Sequence, residues 1–225
     1  MMIAIERLLD ADGLQRVRDL LDSAPWADGK VTAGYQSALA KNNEQLPQDC
    51  DAARAAGAEI VAALGRSLLF QTAALPRAIF PPLFNRYGIG HAFGTHVDNA
   101  YRPLPGGGQL RTDLSATLFL AEPEEYDGGE LVIEDGHDGK EVKLPAGHLF
   151  LYPATTLHSV RPVTRGTRLA SFFWIESLVA DAGRRDVLFD MDLAVQSLRP
   201  RVGDEDPALI ALTGCYHNLL RGWSS

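Results

Sequence analysis

Between residues 78 and 176 the chain alternates short β-rich runs with glycine and proline, and this pattern constrains the fold more than any other feature. Short strands separated by frequent turn residues are typical of antiparallel sheets that close into a two-sheet barrel or jelly roll. We therefore predict such a core. Its strands are expected at 79–87, 91–98, 113–121, 130–134, 140–144, 148–152, 157–162 and 167–176.

Helical patterns precede the β-rich region. Asp10 is suited to cap a first helix, because apolar residues recur at helical spacing after it. The Ala-rich segment 49–69 predicts a second helix, with its apolar residues on one side. The segment 27–47 between them is mixed and polar, and we expect loop and short strand there.

After the last predicted strand the pattern becomes helical again. Residues 184–198 and 207–223 predict two helices, with a break at Pro200 between them. The whole chain is thus expected to be an α+β protein. Residues 1–177 would hold the N-terminal helices and the β core, and 178–225 would form a helical appendage whose apolar residues pack on the barrel or form a homodimer interface.

Composition excludes several classes of protein. A chain of 225 residues that is 46% hydrophobic and 22% charged is typical of a globular protein with one core. Its net charge of −8 argues against a nucleic-acid surface. Charges interrupt the N-terminus where a signal peptide would be apolar, and no apolar run is long enough to span a membrane. Cys50 and Cys215 are distant in sequence, which predicts free thiols and a cytoplasmic location.

The triplet His96-Val97-Asp98, followed by His158 and Arg168, is the strongest signal of chemistry. On a strand, residues two apart point to the same face, so His96 and Asp98 are expected side by side. His158 from a second strand would complete a set of two histidines and one carboxylate, which leaves positions open for Fe(II) oxygen chemistry. The alternative is chance, since a chain with six histidines can contain such a triplet without binding metal. The strand-like context of all three residues favours the metal site.

Several segments around these residues resemble one family. The set resembles Fe(II)/2-oxoglutarate dioxygenases of the prolyl-hydroxylase type and looks like the bacterial PKHD-type hydroxylases, a group associated with iron uptake. The matching segments are 85–88, 93–100, 111–120, 126–131, 151–158 and 161–168. The chain departs from the family pattern at His148, where aspartate is more usual.

The resemblance implies a double-stranded β-helix that binds Fe(II) through His96, Asp98 and His158, with 2-oxoglutarate and O₂ as cosubstrates and ascorbate as reductant. Arg168 would bind the distal carboxylate of 2-oxoglutarate, since a guanidinium can contact a carboxylate at two points. The alternative for Arg168 is a surface position in the basic run that begins at Arg161. Tyr87 resembles a residue that donates its hydroxyl to the cosubstrate, and its alternative is a plain core tyrosine.

The segment 99–112 follows the metal carboxylate and contains three glycines and two prolines, which predicts a loop. Such a loop would be either a lid or a simple strand connection, and as a lid it could select substrate through Tyr101, Arg102 and Arg111. We expect none of the remaining histidines to bind metal. These are His91, His137, His148 and His217.

Two further functions compete with the oxygenase. One is a metal-dependent sensor of iron or 2-oxoglutarate without catalysis, because a fold does not determine function. The other is a cupin-like metalloenzyme that uses no 2-oxoglutarate, against which Arg168 and Tyr87 argue. The substrate is a peptide or a small molecule, and a peptidyl proline, a free amino acid and a siderophore-related molecule all fit the sequence.

Overall fold

The structure is a computed structural model that describes residues 1–32, 40–134 and 139–224. The helices are α1 (Ala11–Asp22), α2 (Asp51–Arg66), α3 (Leu68–Ala74), α4 (Ala182–Val202) and α5 (Pro207–Trp223), with 3₁₀ turns at Gly29–Thr32 and Pro123–Glu125. The strands are β1 (Ile3–Ile5), β2 (Ala27–Asp28), β3 (Lys41–Asn42), β4 (Glu44–Gln45), β5 (Pro76–Ile79), β6 (Leu83–Tyr87), β7 (Ala92–His96), β8 (Tyr101–Pro103), β9 (Gln109–Arg111), β10 (Leu114–Phe119), β11 (Tyr126–Gly128), β12 (Leu131–Ile133), β13 (Lys140–Val142), β14 (Leu149–Pro153), β15 (His158–Val160), β16 (Val163–Gly166) and β17 (Arg168–Ser177).

Two antiparallel sheets form the core. The larger has the order β1-β14-β10-β17-β6-β4-β2, with β5 also paired to β17, and the smaller has the order β13-β12-β15-β7-β3. Two short ribbons, β8-β9 and β11-β16, complete the strands of the described residues. Side chains from both sheets line one cavity between them. The predicted α+β class and two-sheet core are therefore confirmed.

The long strand β17 shows how the layers are arranged. Its side chains alternate between two faces. Phe173 and Ile175 join the apolar core that includes residues of α1 and α2, such as Val17 and Ile60. Arg168, Phe172 and Trp174, on the opposite face, line the cavity. Because helices cover one face and the second sheet faces the other, the strand is buried along most of its length.

The N-terminal helices agree only in part with the sequence prediction. Asp10 caps α1, since its Oδ1 accepts a hydrogen bond of 2.7 Å from the Gly13 backbone nitrogen. The single helix predicted over 49–69 is wrong, because the backbone is extended at Ser67 and separates α2 from α3. The Ser67 hydroxyl accepts from the Phe70 nitrogen and begins α3 as its N-cap.

The C-terminal helices lie against the rest of the chain. Leu188 of α4 packs with Leu75 and Val179, and apolar residues of α5 such as Leu219 lie against this cluster. The predicted break at Pro200 is wrong. Pro200 lies inside α4, which continues for two residues to Val202 and is followed by Gly203, whose positive φ of 88° favours glycine. The boundary at residue 177 stays a prediction.

The segment 99–112 is not only a loop, which corrects the sequence prediction. It folds into the hairpin β8–β9, in which Tyr101 is paired with Arg111 and Pro103 with Gln109. Gly107 and Gly108 have positive φ angles of 95° and 82°, so the glycines supply the tight turn. The hairpin forms a small ribbon of its own, where the missing backbone donor of Pro103 is tolerated.

The predicted strands overlap β6, β7, β10, β12, β13, β14, β15 and β17, whereas β1, β11, β16 and most of β5 were missed. The short strand β1 pairs with β14 at the edge of the larger sheet. The predictions for His137 and for part of the segment 27–47 fall outside the described residues. Across the residues that the structure does describe, no helix is long and apolar enough to cross a membrane.

Candidate active site

His96, Asp98 and His158 form one compact cluster. His96 is the last residue of β7 and is paired in register with His158, the first residue of β15. One potential ligand atom from each of the three residues lies within 4.8 Å of the other two. The strand predicted over 91–98 ends at His96, so Asp98 reaches the cluster from the segment that follows β7. His96 and Asp98 lie side by side as predicted, but not because they share one face of a strand.

Hydrogen bonds orient all three side chains. The Nδ1 atoms of His96 and His158 lie 2.9 Å and 3.0 Å from the carbonyl oxygens of Gly94 and Thr156. If each Nδ1 donates its proton to that carbonyl, each Nε2 keeps a lone pair for a metal ion, as metal-binding histidines usually do. Ser115 donates a hydrogen bond of 2.6 Å to Asp98 Oδ2.

The electrostatics favour a neutral imidazole at His96. Burial lowers the pKa of His96 to about 4, and repulsion by His158 contributes further. Phe93 stacks on the His96 ring with 3.7 Å between centroids, and Tyr152 contacts His158 edge-on at 5.3 Å. A neutral, oriented imidazole is the form that binds a metal ion, so this donor set fits Fe(II).

Arg168 lies at the deep end of the same cavity. It is the first residue of β17, is 1% exposed and stands opposite Tyr87 in the sheet. Its guanidinium carbon lies 5.3 Å from the Tyr87 ring centroid and 5.4 Å from that of Phe119. No carboxylate of the described residues forms an ion pair with Arg168, and its Nε has no hydrogen-bond partner among them. The inward position predicted for Arg168 is therefore the one observed.

A buried cation without a counter-charge is costly, and a bound carboxylate would supply that charge. Aromatic hydroxyls adjoin the guanidinium. Burial raises the pKa of both Tyr87 and Tyr126, and the positive charge of Arg168 opposes that rise. The Tyr126 hydroxyl is buried beside the Arg168 guanidinium. The deep end thus offers an unpaired guanidinium beside neutral phenols, which fits the distal carboxylate of 2-oxoglutarate.

Glycine is required beside Arg168. Gly129 has a φ of 67°, and a Cβ atom there would lie 3.1 Å from both Arg168 Cδ and the Tyr126 ring. A larger residue would push Arg168 away from its present position. Gly128 and Gly129 fall in the segment 126–131 that resembles the family, but the contact of Gly129 with Arg168 depends on the pairing of distant strands.

The cavity connects the metal cluster with Arg168. It encloses about 830 Å³, its open mouth included. Sequence reasoning missed several residues that line it, because their positions result from the packing of distant segments. These are Lys41, Asn85, Ser115, Thr117, Tyr152 and Trp174. Arg102 lines the cavity as expected for a residue of the lid, whereas Arg111 is held away by Asp113, with 2.8 Å between Arg111 Nε and Asp113 Oδ1.

The other histidines of the described chain lie outside the cluster. His91 Nδ1 accepts a hydrogen bond from the Gly88 nitrogen and so stabilises the turn between β6 and β7. The His148 carbonyl accepts from the Phe119 nitrogen at the start of β14, and His217 lies on α5. Among the described residues, His96, Asp98 and His158 are the one group that could hold a metal ion.

Comparison with known proteins identifies the family. Residues 82–176 match the 2OG-Fe(II) oxygenase superfamily, and residues 182–225 match the PKHD-type hydroxylase C-terminal domain. A PKHD-type hydroxylase of Caulobacter sp. (strain K31) is 58% identical over 225 residues, which is 100% of this chain and 99% of that protein. The chain belongs to the PKHD-type hydroxylase family. A second member, from Phenylobacterium zucineum, is 57% identical with the same coverage.

This PKHD-type hydroxylase is therefore a 2-oxoglutarate-dependent dioxygenase, and its family uses Fe(II). Its fold resembles a Pseudomonas putida prolyl-4-hydroxylase with a TM-score of 0.53, at 20% identity over 78% of this chain and 92% of the other. A prolyl hydroxylase from Trichoplax adhaerens gives a TM-score of 0.53 at 14% identity, over 78% and 83% of the two chains. These likenesses confirm the predicted jelly-roll core.

Proposed function

We propose that this protein hydroxylates a C–H bond of a peptide or small molecule, while 2-oxoglutarate and O₂ become succinate and CO₂. One oxygen atom of O₂ enters the product and the other enters succinate, so the atoms balance. In this proposal His96, Asp98 and His158 hold Fe(II), and Arg168 and Tyr87 hold the cosubstrate. When bound, the iron supplies the site at which O₂ is activated.

The unpaired guanidinium of Arg168 is the observation that carries this proposal. A metal site alone would serve many reactions, but a buried cation at the far end of the same cavity calls for an anion that reaches it. 2-Oxoglutarate has a carboxylate at each end, so one end can chelate the metal while the other meets Arg168. A cupin-like enzyme without 2-oxoglutarate would leave Arg168 buried and unpaired.

The chain's own residues prepare the site. Ser115 holds Asp98 by its 2.6 Å hydrogen bond, which fixes the carboxylate toward the two imidazoles. Aromatic rings of Tyr87 and Phe119 flank the guanidinium of Arg168, which is 1% exposed. A dry environment strengthens the contact between guanidinium and carboxylate, because the effective dielectric constant is low.

The proposal also covers the reductant, the cellular location, the biological role and the oligomeric state. Ascorbate would keep the iron reduced, the enzyme would act in the cytoplasm, and hydroxylation would serve iron uptake, as the family resemblance implies. The apolar residues of the C-terminal helices would support a homodimer. Deleting the gene should then change growth under iron limitation, and ascorbate should prolong turnover of the purified enzyme.

The experiment that tests catalysis is formation of succinate from 2-oxoglutarate by the purified, Fe²⁺-loaded protein. We expect slow succinate formation without substrate, and faster formation with a substrate that gains the mass of one oxygen atom. An Asp98→Asn variant serves as the inactive control. Binding of 2-oxoglutarate without any succinate formation would favour the alternative, a sensor without catalysis.

A further inference from the structure

A second unpaired arginine lies at the mouth of the cavity. Arg102, on β8, stacks on Trp174 with 4.0 Å between the guanidinium carbon and the ring centroid, and lies 5.3 Å from Phe80. Its Nε is buried and has no hydrogen-bond partner in the described part of the chain, and none of the ion pairs found there involves it. Stacking fixes the plane of the guanidinium and leaves its N–H groups directed sideways, toward a ligand.

Strand register places Arg102 beside the metal cluster. Trp174, on which it stacks, is paired with Ser115, and Ser115 donates its hydrogen bond to Asp98. Burial lowers the pKa of Arg102, and the negative charge of Asp98 acts against that lowering. Arg102 therefore faces the open side of the cavity at the level of the metal ligands.

Arg102 and Arg168 cannot serve the same carboxylate. Arg168 precedes Trp174 by six residues on β17, so the Cα atoms of these two residues lie about 20 Å apart along the strand and their side chains reach different levels of the cavity. A 2-oxoglutarate that chelates the metal and extends to Arg168 uses both of its carboxylates. Arg102 is then left for an anion that belongs to another molecule.

Lys41 adds a second positive charge near the mouth. Its Nζ donates a hydrogen bond of 2.7 Å to Gln45 and lies 5.6 Å and 5.8 Å from the ring centroids of Phe93 and Phe172. Burial lowers the pKa of Lys41 to about 8, and the positive charge of Arg102 contributes to this lowering. This agrees with a Lys41 ammonium and an Arg102 guanidinium that face the same cavity. Asp98 is the one carboxylate among the lining residues described. With Fe²⁺ and dianionic 2-oxoglutarate in place, the cavity would still have excess positive charge.

We propose that the prime substrate bears a carboxylate close to the carbon that is hydroxylated, and that Arg102 binds this carboxylate. The assignment rests on the proposed function. It favours a free or C-terminal amino acid, or another small carboxylic acid, over an internal residue of a peptide. Lys41 supports the same anion by adding positive potential without needing direct contact.

The test is binding of matched pairs of compounds to the full-length protein loaded with Zn²⁺ and 2-oxoglutarate. The probes are N-acetyl amino acids that cover the natural side chains, each paired with its neutral N-methylamide, and binding is measured by ligand-observed NMR and calorimetry. We expect at least one acid to bind and its amide to bind more weakly by about tenfold or more, the value of a hydrogen bond to a charged group.

Variants of Arg102 test whether this residue causes the preference for the acid over the amide. Arg102→Gln should weaken binding of the acid by about tenfold to a hundredfold and remove the preference over the amide, and Arg102→Lys should recover part of it. Arg161→Gln is the matched control, because this exposed arginine pairs with Glu141 and does not line the cavity. If Arg102→Gln does not fold, Lys41→Met provides a second test and should weaken the acid by a smaller factor.

The outcomes separate this assignment from the proposed function. Wild-type protein that does not bind 2-oxoglutarate in the presence of Fe²⁺ would contradict the proposed function. The carboxylate assignment alone would be overturned if 2-oxoglutarate binds normally but the acids bind no better than their amides. It would also be overturned if 2-oxoglutarate binds normally but no acid and no amide binds. A preference for phosphoserine N-methylamide over every carboxylic acid would also overturn it, in favour of a phosphate ester.

Discussion

The two ends of the cavity both contain an arginine, but the two residues are held in different ways. Arg168 belongs to the longest strand of the larger sheet and is 1% exposed. Arg102 belongs to a short hairpin whose ribbon is separate from both main sheets, and it is only half-buried. A residue on a central strand is fixed by the whole fold, whereas a hairpin can differ without disturbing the barrel. In our proposals, this difference corresponds to a fixed deep end that binds the cosubstrate and an adaptable mouth that binds the prime substrate.

Loss of a metal ligand should have the largest effect, because both ends of the cavity depend on the cluster between them. Replacing His96, Asp98 or His158 with alanine removes one of the three residues that we propose hold Fe²⁺, the one such group in the part of the chain that the structure describes. We expect at least about a hundredfold loss of Fe²⁺ affinity, as a direct ligand should matter no less than the groups that orient it. Anaerobic metal analysis measures it, with His217→Ala on α5 as the control. Undiminished iron in any of the three variants would show that the ligand set is wrong.

Shortening the hairpin β8–β9 should impair the function of the cavity mouth and leave that of the deep end intact. Deletion of Gly106–Gly108 removes the turn that joins β8 to β9 and should displace Arg102, but it leaves Arg168, His96 and His158 on the main sheets. Hydroxylation should then fall by roughly tenfold or more, the size expected when a positioned contact is lost. Uncoupled conversion of 2-oxoglutarate to succinate should largely persist. Equal loss of both activities would mean that the hairpin also supports the iron site.

The sequence predicted the deep end better than the mouth. His96, Asp98, His158 and Arg168 could be recognised because each falls in a strand-like run with a characteristic spacing. The hairpin was predicted as a loop, because its three glycines and two prolines conceal two short strands whose pairing is set by the turn.

Other features could not be predicted because they depend on contacts between distant segments. Ser115 meets Asp98 and Trp174 meets Arg102 only after β10 and β17 have paired. No local pattern in the sequence indicates either contact. The same holds for Lys41, which reaches the cavity from a strand of two residues.

A smaller effect is expected when the metal carboxylate loses its hydrogen bond. Ser115→Ala should weaken Fe²⁺ affinity by about tenfold, since groups that orient a metal ligand commonly contribute that much. Ser171→Ala is the matched control, because this buried serine donates to the Leu83 carbonyl instead. Equal iron affinity in wild type and Ser115→Ala would show that Asp98 is oriented by the chain alone.

The smallest effect concerns Lys41 and pH. Its pKa is lowered to about 8 in the folded protein, against 10.5 as its ordinary value, so the unfolded chain binds more protons between these values. The contribution of Lys41 to stability should therefore increase as the pH rises from about 8 toward 10.5 and be lost as the pH falls through about 8. The free energy of unfolding of wild type minus that of Lys41→Met should follow this trend. A difference that does not change with pH would contradict the lowered pKa.

The central claim is that 2-oxoglutarate spans from the metal to Arg168. The most direct test is to titrate anaerobic, Fe²⁺-loaded protein with 2-oxoglutarate and to follow the visible absorption band of the chelate. Wild type should saturate. Arg168→Gln should still bind Fe²⁺ but require about a hundredfold more 2-oxoglutarate or more, because a buried carboxylate loses its charge partner at a cost of roughly 3–5 kcal/mol. Arg168→Lys should recover only part of the affinity, and Arg161→Gln should match wild type. An Arg168→Gln variant that titrates like wild type would contradict the account.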